Sequence, residues 1–300
     1  MDVEITKMDG TSIKLSDIGV EARDFIVGSI EINPHYSAID GRSGHVDMGA
    51  DYGGRTIVVP FLYKAHDLHG VALKRDELYG LISDTEPFYV REMRRIKEHP
   101  GFICDDKSDI RKYKVHDYDN YFVGGKRYKV RSVGGITVDQ TGRYGFGEIT
   151  LETTDLPFAE SIGTSSDIDR DGINAVSAQW GYGMGLITVD SSLKYTHDTR
   201  TFRIYNAGNV GVHPFEQYLR VGVEGVAKGY RLENSTTGDV FEVTGDISGG
   251  LVIEGATVTN NGLQAFRDTN RRFITLAPGW NEFTQNMAKK VAFDFRFYYR

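Results

Sequence analysis

The chain has 300 residues, of which 40% are hydrophobic and 12% aromatic, enough apolar material for about two packed domains. A single cysteine, Cys104, excludes an internal disulfide framework and a zinc site built from several cysteines. The first residues carry no secretory signal and the sequence has no apolar run of about 18 residues, so we expect folding in a reducing cytoplasm and no membrane insertion.

The formal net charge of −7 argues against stable binding to the phosphates of nucleic acids. The densest basic cluster consists of Arg91, Arg94, Arg95 and Lys97. Because Glu92 and Glu98 dilute this cluster, we expect no specific nucleic-acid binding.

The first predicted elements in chain order are strands. Residues 3–5 and 12–14 flank Asp9-Gly10, a dipeptide typical of hairpin turns. Residues 24–32 and 45–48 are further strand candidates. The apolar run within residues 53–65 predicts a strand covered on both faces, and Pro60 in its middle indicates a sheet edge or a bulge.

Residues 67–84 form the one good helix of the sequence. Val71, Leu78 and Ile82 follow helical spacing, and Asp67 can cap the N-terminus. After this helix the pattern returns to strands, predicted at residues 88–91, 111–116, 128–133, 136–140 and 147–153.

A domain boundary is predicted in residues 161–172, which are rich in Ser, Asp and Gly and are typical of a linker. The sequence therefore predicts two β domains, residues 1–160 and 161–300. From residue 185 onwards, strands recur with turns between them, the pattern of a sandwich or jelly roll.

Strict alternation marks the end of the chain. Residues 273–276 and 291–299 are predicted strands, with a corner at residues 278–281 between them. One side of the last strand carries Val291, Phe293, Phe295, Phe297 and Tyr299, and the other carries Asp294, Arg296 and Tyr298. Such a period of two predicts one face in a core. We expect a β protein packed to its last residue, which favours a building block or binding module over an enzyme with a mobile C-terminus.

A calcium site is the sharpest metal candidate in the sequence. Asp167, Asp169 and Asp171, followed by Gly172, match the start of a calcium loop, where alternate carboxylates converge on a hard cation. The twelfth position is Ala178 instead of the usual Glu, so a solvated acidic linker is the favoured interpretation. We predict no metal and no cofactor.

Two tryptophans are candidates for stacking against a sugar on a β-sandwich, Trp180 and Trp280. A core or interface role is the favoured interpretation of each. The motifs of serine hydrolases and zinc proteases are missing from the sequence, and Cys104 lies in no basic context that would stabilise a thiolate. We predict no catalytic residues.

Taken together, several segments resemble the distal tail proteins of long-tailed phages that infect Gram-positive bacteria. The segments are, in order, GGRTIVVPFLYKA, RDELYGLI, EITLETTDLPFAES, NAG, TTGDVF, APGWNEF and FDFRFYY. The resemblance covers nearly the whole chain. It implies a mostly β protein of two β-sandwich-like domains: an N-terminal ring-forming domain with one helix, and a C-terminal galectin-like or jelly-roll domain.

The resemblance also implies a role in the virion, at the tail tip or baseplate, after assembly in the host cytoplasm. A homohexameric ring would join the tail tube protein to the tail-tip protein and a receptor-binding protein, around a central channel for DNA. We expect both ring patches within residues 3–154, with strand pairing along edges such as residues 3–5. An acidic channel wall would repel DNA phosphates.

Two other classes of protein compete with this interpretation. A carbohydrate-binding protein would use the C-terminal sandwich to attach to the host cell wall, with Trp180 or Trp280 at its site. A glycoside hydrolase would need a pair of carboxylates in a cleft, and abundant Asp and Glu are its one support in the sequence.

Overall fold

A computed structural model describes residues 1–95, 122–173, 179–181, 183–186 and 193–300. The protein is mostly β, as predicted, and it divides into two compact units, Met1–Phe158 and Ala159–Arg300. The predicted strand at residues 111–116, together with Cys104, lies outside the described residues. No helix within those residues is long and apolar enough to cross a bilayer.

The described part of the first unit contains twelve strands and one α-helix. The strands are β1 (Asp2–Lys7), β2 (Ser12–Lys14), β3 (Val20–Ala22), β4 (Ile26–Val27), β5 (Ile32–Ala38), β6 (His45–Tyr52), β7 (Thr56–Lys64), β8 (Phe88–Arg95), β9 (Phe122–Val123), β10 (Lys126–Ser132), β11 (Val138–Thr141) and β12 (Tyr144–Thr153). The main sheet has the order β2-β1-β8-β10-β12-β7-β3, and β5 and β6 form a separate two-stranded sheet.

Strand β7, which lies between β12 and the short strands β3 and β4, buries one face. Ile57, Val59, Phe61 and Tyr63 are fully buried, whereas the alternate residues are half-buried, so the prediction of cover on both faces was wrong. Pro60 sits where one neighbouring strand, β3, has ended and the next, β4, has not begun. Its carbonyl accepts from Arg23 N (2.8 Å), and the missing N–H of proline therefore falls in a gap of the ladder.

Strand β1 lies inside the sheet and not at its edge. It pairs with β2 on one side and β8 on the other, and Val3 and Ile5 are buried. The expectation that residues 3–5 offer a free edge for ring contacts was therefore wrong, because both hydrogen-bonding sides of that strand are used within the chain.

The predicted helix is confirmed as α1 (Leu68–Ile82). Asp67 Oδ1 accepts from Gly70 N (2.6 Å) and so caps the first turn. Val71, Leu78 and Ile82 join the buried core of the sheet. Packing of this apolar stripe, more than helix propensity, stabilises a helix that contains two glycines.

The described part of the second unit contains two larger sheets, a separate pair of strands, β13 with β24, and one short α-helix, α2 (Ser165–Asp171). One sheet has the order β14-β23-β16-β19-β20-β21 and the other β15-β22-β17-β18. The strands are β13 (Ala159–Ser161), β14 (Thr196–His197), β15 (Thr201–Asn206), β16 (Leu219–Val226), β17 (Arg231–Asn234), β18 (Asp239–Glu242), β19 (Gly249–Glu254), β20 (Thr257–Asn260), β21 (Leu263–Gln264), β22 (Gly279–Gln285), β23 (Lys290–Phe295) and β24 (Tyr298–Tyr299).

Aromatic side chains join the two sheets of this unit. The ring centroid of Phe283 on β22 lies 4.8 Å from that of Phe293, which belongs to the other sheet. It lies 5.3 Å from that of Phe202 on β15, its neighbour in the same sheet. The alternation at the chain end predicted this arrangement correctly for Phe293, Phe295 and Phe297, which are all buried.

Three local predictions in this unit were wrong. Tyr298, assigned to the solvent side, is buried, and its hydroxyl accepts from Tyr218 N (2.9 Å). Residues 273–276 form no strand, although Leu276 makes an isolated bridge to Val212. Residues 165–171 of the predicted linker are helical, because Thr164 and Asp167 form a capping box at the start of the helix. Amino-acid composition alone does not reveal such a capping box.

Candidate functional site: an exposed hairpin

The three aspartates of the calcium candidate do not converge in the structure. Asp167 accepts from Thr164 N (2.8 Å), Asp169 accepts from Tyr195 N (2.9 Å), and Asp171 binds Arg170, whose hydrogen bond lowers the pKa of Asp171. Side chains two apart on a helix point in different directions. Within the described ranges, no three His, Cys, Asp or Glu side chains could hold a metal ion.

The two candidate tryptophans have different surroundings. Trp180 is 4% exposed, its ring lies 6.1 Å from that of Phe297, and a Cβ at Gly163 would come within 2.6 Å of it. Trp180 is therefore a core residue with no open face for a sugar, and the structure does not support its stacking role. Trp280 on β22 is half-buried, beside Tyr205 at 4.9 Å, and the Arg203 guanidinium lies 4.4 Å from its ring centroid.

The basic cluster of β8 is compensated by neighbouring acids. Arg91 Nε lies 3.1 Å from Glu4 Oε1, and Arg94 Nε lies 2.5 Å from Glu92 Oε1. The side chain of Arg95 and the whole of Lys97 fall outside the described residues. The described charges of this cluster, those of Arg91 and Arg94, therefore form local ion pairs.

The feature that stands out in the first unit is the hairpin β5–β6. It continues the β4–β7 ladder, since Gly28 N donates to Thr56 O (2.9 Å) and Gly53 N donates to Glu31 O (2.7 Å). Beyond this base its two strands pair with each other, and every residue of the strands except Val46 is exposed. An isolated two-stranded hairpin is marginally stable in water, so a hairpin of this length needs cover from elsewhere.

One face of the hairpin is apolar. The strand period and register place Ile32, Pro34, Tyr36 and Ala38 on this face, together with their partners Tyr52, Ala50, Asp47 and His45, so the apolar part lies towards the base of the hairpin. Ile32 is 61% exposed and Tyr36 60% exposed, and the Tyr36 ring lies 5.8 Å from that of His45. We call the six apolar residues of this face, Ile32, Pro34, Tyr36, Ala38, Ala50 and Tyr52, the apolar hairpin face.

The opposite face of the hairpin is mostly polar. It carries Asn33, His35, Ser37 and Asp51, and His35 Nε2 lies 2.8 Å from Asp51 Oδ2. A bulge at Gly49, with φ of +99°, lets the two strands differ by one residue while keeping these faces apart. The hairpin is therefore amphipathic, and its apolar side meets water in the single chain. A contiguous exposed apolar surface of this kind marks an interaction site.

Sequence reasoning missed half of this hairpin. Residues 45–48 were predicted as a strand, but β5 was not recognised beyond Ile32, because Pro34 and His35 interrupt the alternation. The glycines at positions 41 and 44, both with positive φ at the tip, were the turn signal that could have revealed it.

The first unit is similar to a known family of phage tail domains. Residues 8–153, which lie in the first unit and include the hairpin, match the model of the phage tail protein RIFT-related domain. No curated protein sequence gives a significant match.

Among solved structures, the chain is similar to the Dit protein of phage SPP1, described as a paradigm of the hub adsorption apparatus of phages infecting Gram-positive bacteria. The TM-score is 0.61 at 12% identity, over 98% of this chain and 99% of that one. A component of the phage P2 baseplate in its activated conformation matches with a TM-score of 0.42 at 9% identity, over 99% of this chain and 97% of that one. The family match and the Dit fold confirm the resemblance to distal tail proteins.

Proposed function

We propose that the chain is the structural hub of a phage tail tip or baseplate and works as a homohexameric ring. The ring joins the tail tube protein to the tail-tip protein and to a receptor-binding protein, around a central channel through which DNA passes. It is assembled in the host cytoplasm and stays in the virion, and it performs no catalysis. The phage tail domain at residues 8–153 and the fold shared with the SPP1 hub protein support this role.

The single observation that carries the ring is the apolar hairpin face. A closed ring uses a heterologous contact, in which one patch of each copy meets a different patch of the next. Burial of Ile32 and Tyr36 against a neighbouring copy removes the exposed parts of two large side chains from water, and complete burial of a large apolar side chain contributes about 1.5–3 kcal/mol at most. The opposite, polar face can then remain in contact with water.

The charge of the chain fits a conduit for DNA. Each copy brings a formal charge of −7, and the hairpin segment carries Asp40, Asp47 and Asp51 against Arg42. Acidic groups along a channel repel phosphates and limit adhesion during passage.

Light scattering on the purified full-length chain, across a range of concentrations, tests this proposal. We expect the wild-type mass to approach six times 33.6 kDa as concentration rises. Tyr36→Asp places a charge on the apolar hairpin face and is expected to shift the mass towards one chain. Ser37→Asp, its neighbour on the opposite face, is the matched control and is expected to assemble as the wild type does.

Two results would contradict the proposal. A wild-type mass of one chain at every concentration would exclude a self-assembling ring. Equal loss of assembly in Tyr36→Asp and Ser37→Asp would show that the apolar hairpin face is not the contact.

A further inference from the structure

The second unit contains a pocket that the ring proposal does not use. Its volume is about 550 Å³, and its lining residues come from three segments: residues 213 and 215, residues 238–240, and residues 266, 271–273 and 275. The first lies before β16, the second opens β18, and the third connects β21 to β22. The residues of this pocket are distant in sequence and meet only through the fold.

Aromatic rings form one wall of the pocket. The centroid of Phe273 lies 4.8 Å from that of Phe215 and 5.9 Å from that of Phe266. Phe215 is 58% exposed, so a large aromatic surface is presented to solvent at the mouth. His213 adds a further ring, 5.1 Å from Phe215, and its Nδ1 accepts from Phe215 N (3.2 Å), which leaves Nε2 as the protonated nitrogen of the neutral ring.

Two guanidinium groups supply positive charge. Arg271 and Arg272 both line the pocket and are exposed, and the ion pairs formed among the described residues do not include either of them. Asp239 is the one acid among the described lining residues, and its Oδ2 already accepts from Thr237 Oγ1 (2.7 Å), Thr275 N (2.9 Å) and Thr275 Oγ1. A locally basic pocket thus lies on a chain whose net charge is −7.

Backbone groups around the pocket are already satisfied. Asn270 covers the outer edge of β18, with its Nδ2 donating to Val240 O (2.8 Å) and its N–H to Glu242 O (2.9 Å). Arg271 N donates to Thr269 Oγ1 and Arg272 N to Asn270 Oδ1, both at 3.2 Å. An added peptide strand would find these backbone groups already paired, which leaves the aromatic rings and the guanidinium groups as the binding surface of the pocket.

We propose that the pocket formed by Phe215, Phe266, Phe273, Arg271 and Arg272 binds an anionic saccharide, a sugar that bears a phosphate or a carboxylate. The apolar face of a sugar ring packs on an aromatic side chain, and a guanidinium holds a phosphate or carboxylate through two parallel hydrogen bonds. This site is separate from Trp280. The inference rests on the second unit alone and does not depend on ring assembly.

Calorimetric titration of the full-length protein tests the inference, with glucose 6-phosphate, glucuronate and glucose as probes. We expect saturable binding of at least one of the two anionic sugars, with glucose weaker by tenfold or more, as loss of a charge-assisted contact requires. Binding of the phosphate alone, the carboxylate alone or both supports the site and identifies the anion that it prefers.

Substitutions then locate the site. Arg271→Gln combined with Arg272→Gln is expected to weaken the anionic sugar by about tenfold or more, and Phe215→Ala to weaken it severalfold. Arg267→Gln removes an exposed charge nearby that does not line the pocket and serves as the matched control. All four positions are exposed, so circular dichroism should show an unchanged fold.

Four results would overturn the inference: no binding of either anionic sugar, equal affinity for glucose, an equal effect of the control substitution, or binding of a polyglutamate peptide in place of the sugars.

Discussion

The buried hydroxyl of Ser165 is hydrogen-bonded to the backbone of Phe295 and also to the backbone of Phe293. Ser165 Oγ accepts from Phe295 N (3.0 Å) and donates to Phe293 O (2.9 Å). Strand β14 pairs with β23 only as far as Ala292, and the serine takes over the hydrogen-bonding edge of β23 beyond that point. The helix α2 therefore completes the ladder of the last long strand.

Ser165→Ala removes both of these bonds at once. It leaves a buried N–H and a buried C=O of β23 without their partner, and we expect a loss of about 2–3 kcal/mol in the free energy of unfolding. Ser248→Ala, at an exposed serine, is the control and should change stability by less than about 0.5 kcal/mol. Urea denaturation of both variants measures the difference. Equal free energies of unfolding for the two variants would refute a stabilising role of the Ser165 hydroxyl.

Truncation of Phe293 should open the interior between the two sheets of the second unit. Phe293 is 1% exposed and contacts rings from the opposite sheet, so Phe293→Ala is expected to cost about 3–5 kcal/mol. Phe215→Ala deletes the same side chain at a largely exposed position and should cost well below this. Thermal denaturation of the two variants compares them directly, and similar midpoints would contradict the sandwich packing.

Asn281 organises the corner that precedes β22. Its Oδ1 accepts from Ala277 N (2.8 Å) and from Asn234 Nδ2 (3.1 Å), and its Nδ2 donates to Ala277 O (2.8 Å). Both asparagines are completely buried, so Asn281→Ala leaves Ala277 N, Ala277 O and Asn234 Nδ2 without this hydrogen-bond partner. We expect a loss of about 3 kcal/mol in the free energy of unfolding. Gln264→Ala, at an exposed amide, is the control for denaturant titration and should remain close to the wild type.

Tyr218 should make the protein sensitive to alkali. Its hydroxyl donates to Asp294 Oδ2 (2.7 Å), and burial, followed by this carboxylate, raises the pKa of Tyr218 to about 12 from 10.0. The folded state therefore holds the phenolic proton more tightly than the unfolded chain. This contribution to stability is complete below pH 10 and is lost as the pH rises through about 12.

Tyr218→Phe cannot ionise, so its stability should fall less steeply over that interval than the stability of the wild type. The difference in slope is at most about 1.4 kcal/mol per pH unit, and contact with water reduces it further. Denaturant titrations across this pH range measure the slope. Tyr36→Phe, which removes an exposed hydroxyl, serves as the control, and an unchanged slope in Tyr218→Phe would argue against the linkage.

The sequence by itself determined the elements whose signal is local. The alternation from Val291 to Phe297 identified a buried strand face, helical spacing together with the Asp67 cap identified α1, and the ordered segments identified the tail protein resemblance. The strand face and the helix depend on neighbours within a few residues, because side-chain period and capping are properties of a short stretch of backbone. The resemblance depends instead on the order of segments along the whole chain. The tail role followed from the resemblance and not from the site.

Only the tertiary structure decided the rest. Helix α2 has one buried apolar side chain, Ile168, and its composition therefore resembles that of a linker. It is stabilised by hydrogen bonds to β23, which the composition does not show. The apolar hairpin face is distinguished by its exposure among the described residues, and a pattern of residues cannot show exposure. The pocket of the second unit joins Phe215 to Phe273, 58 positions apart in the sequence. Contacts between distant residues are set by how sheets and loops pack, and periodicity carries no information about them.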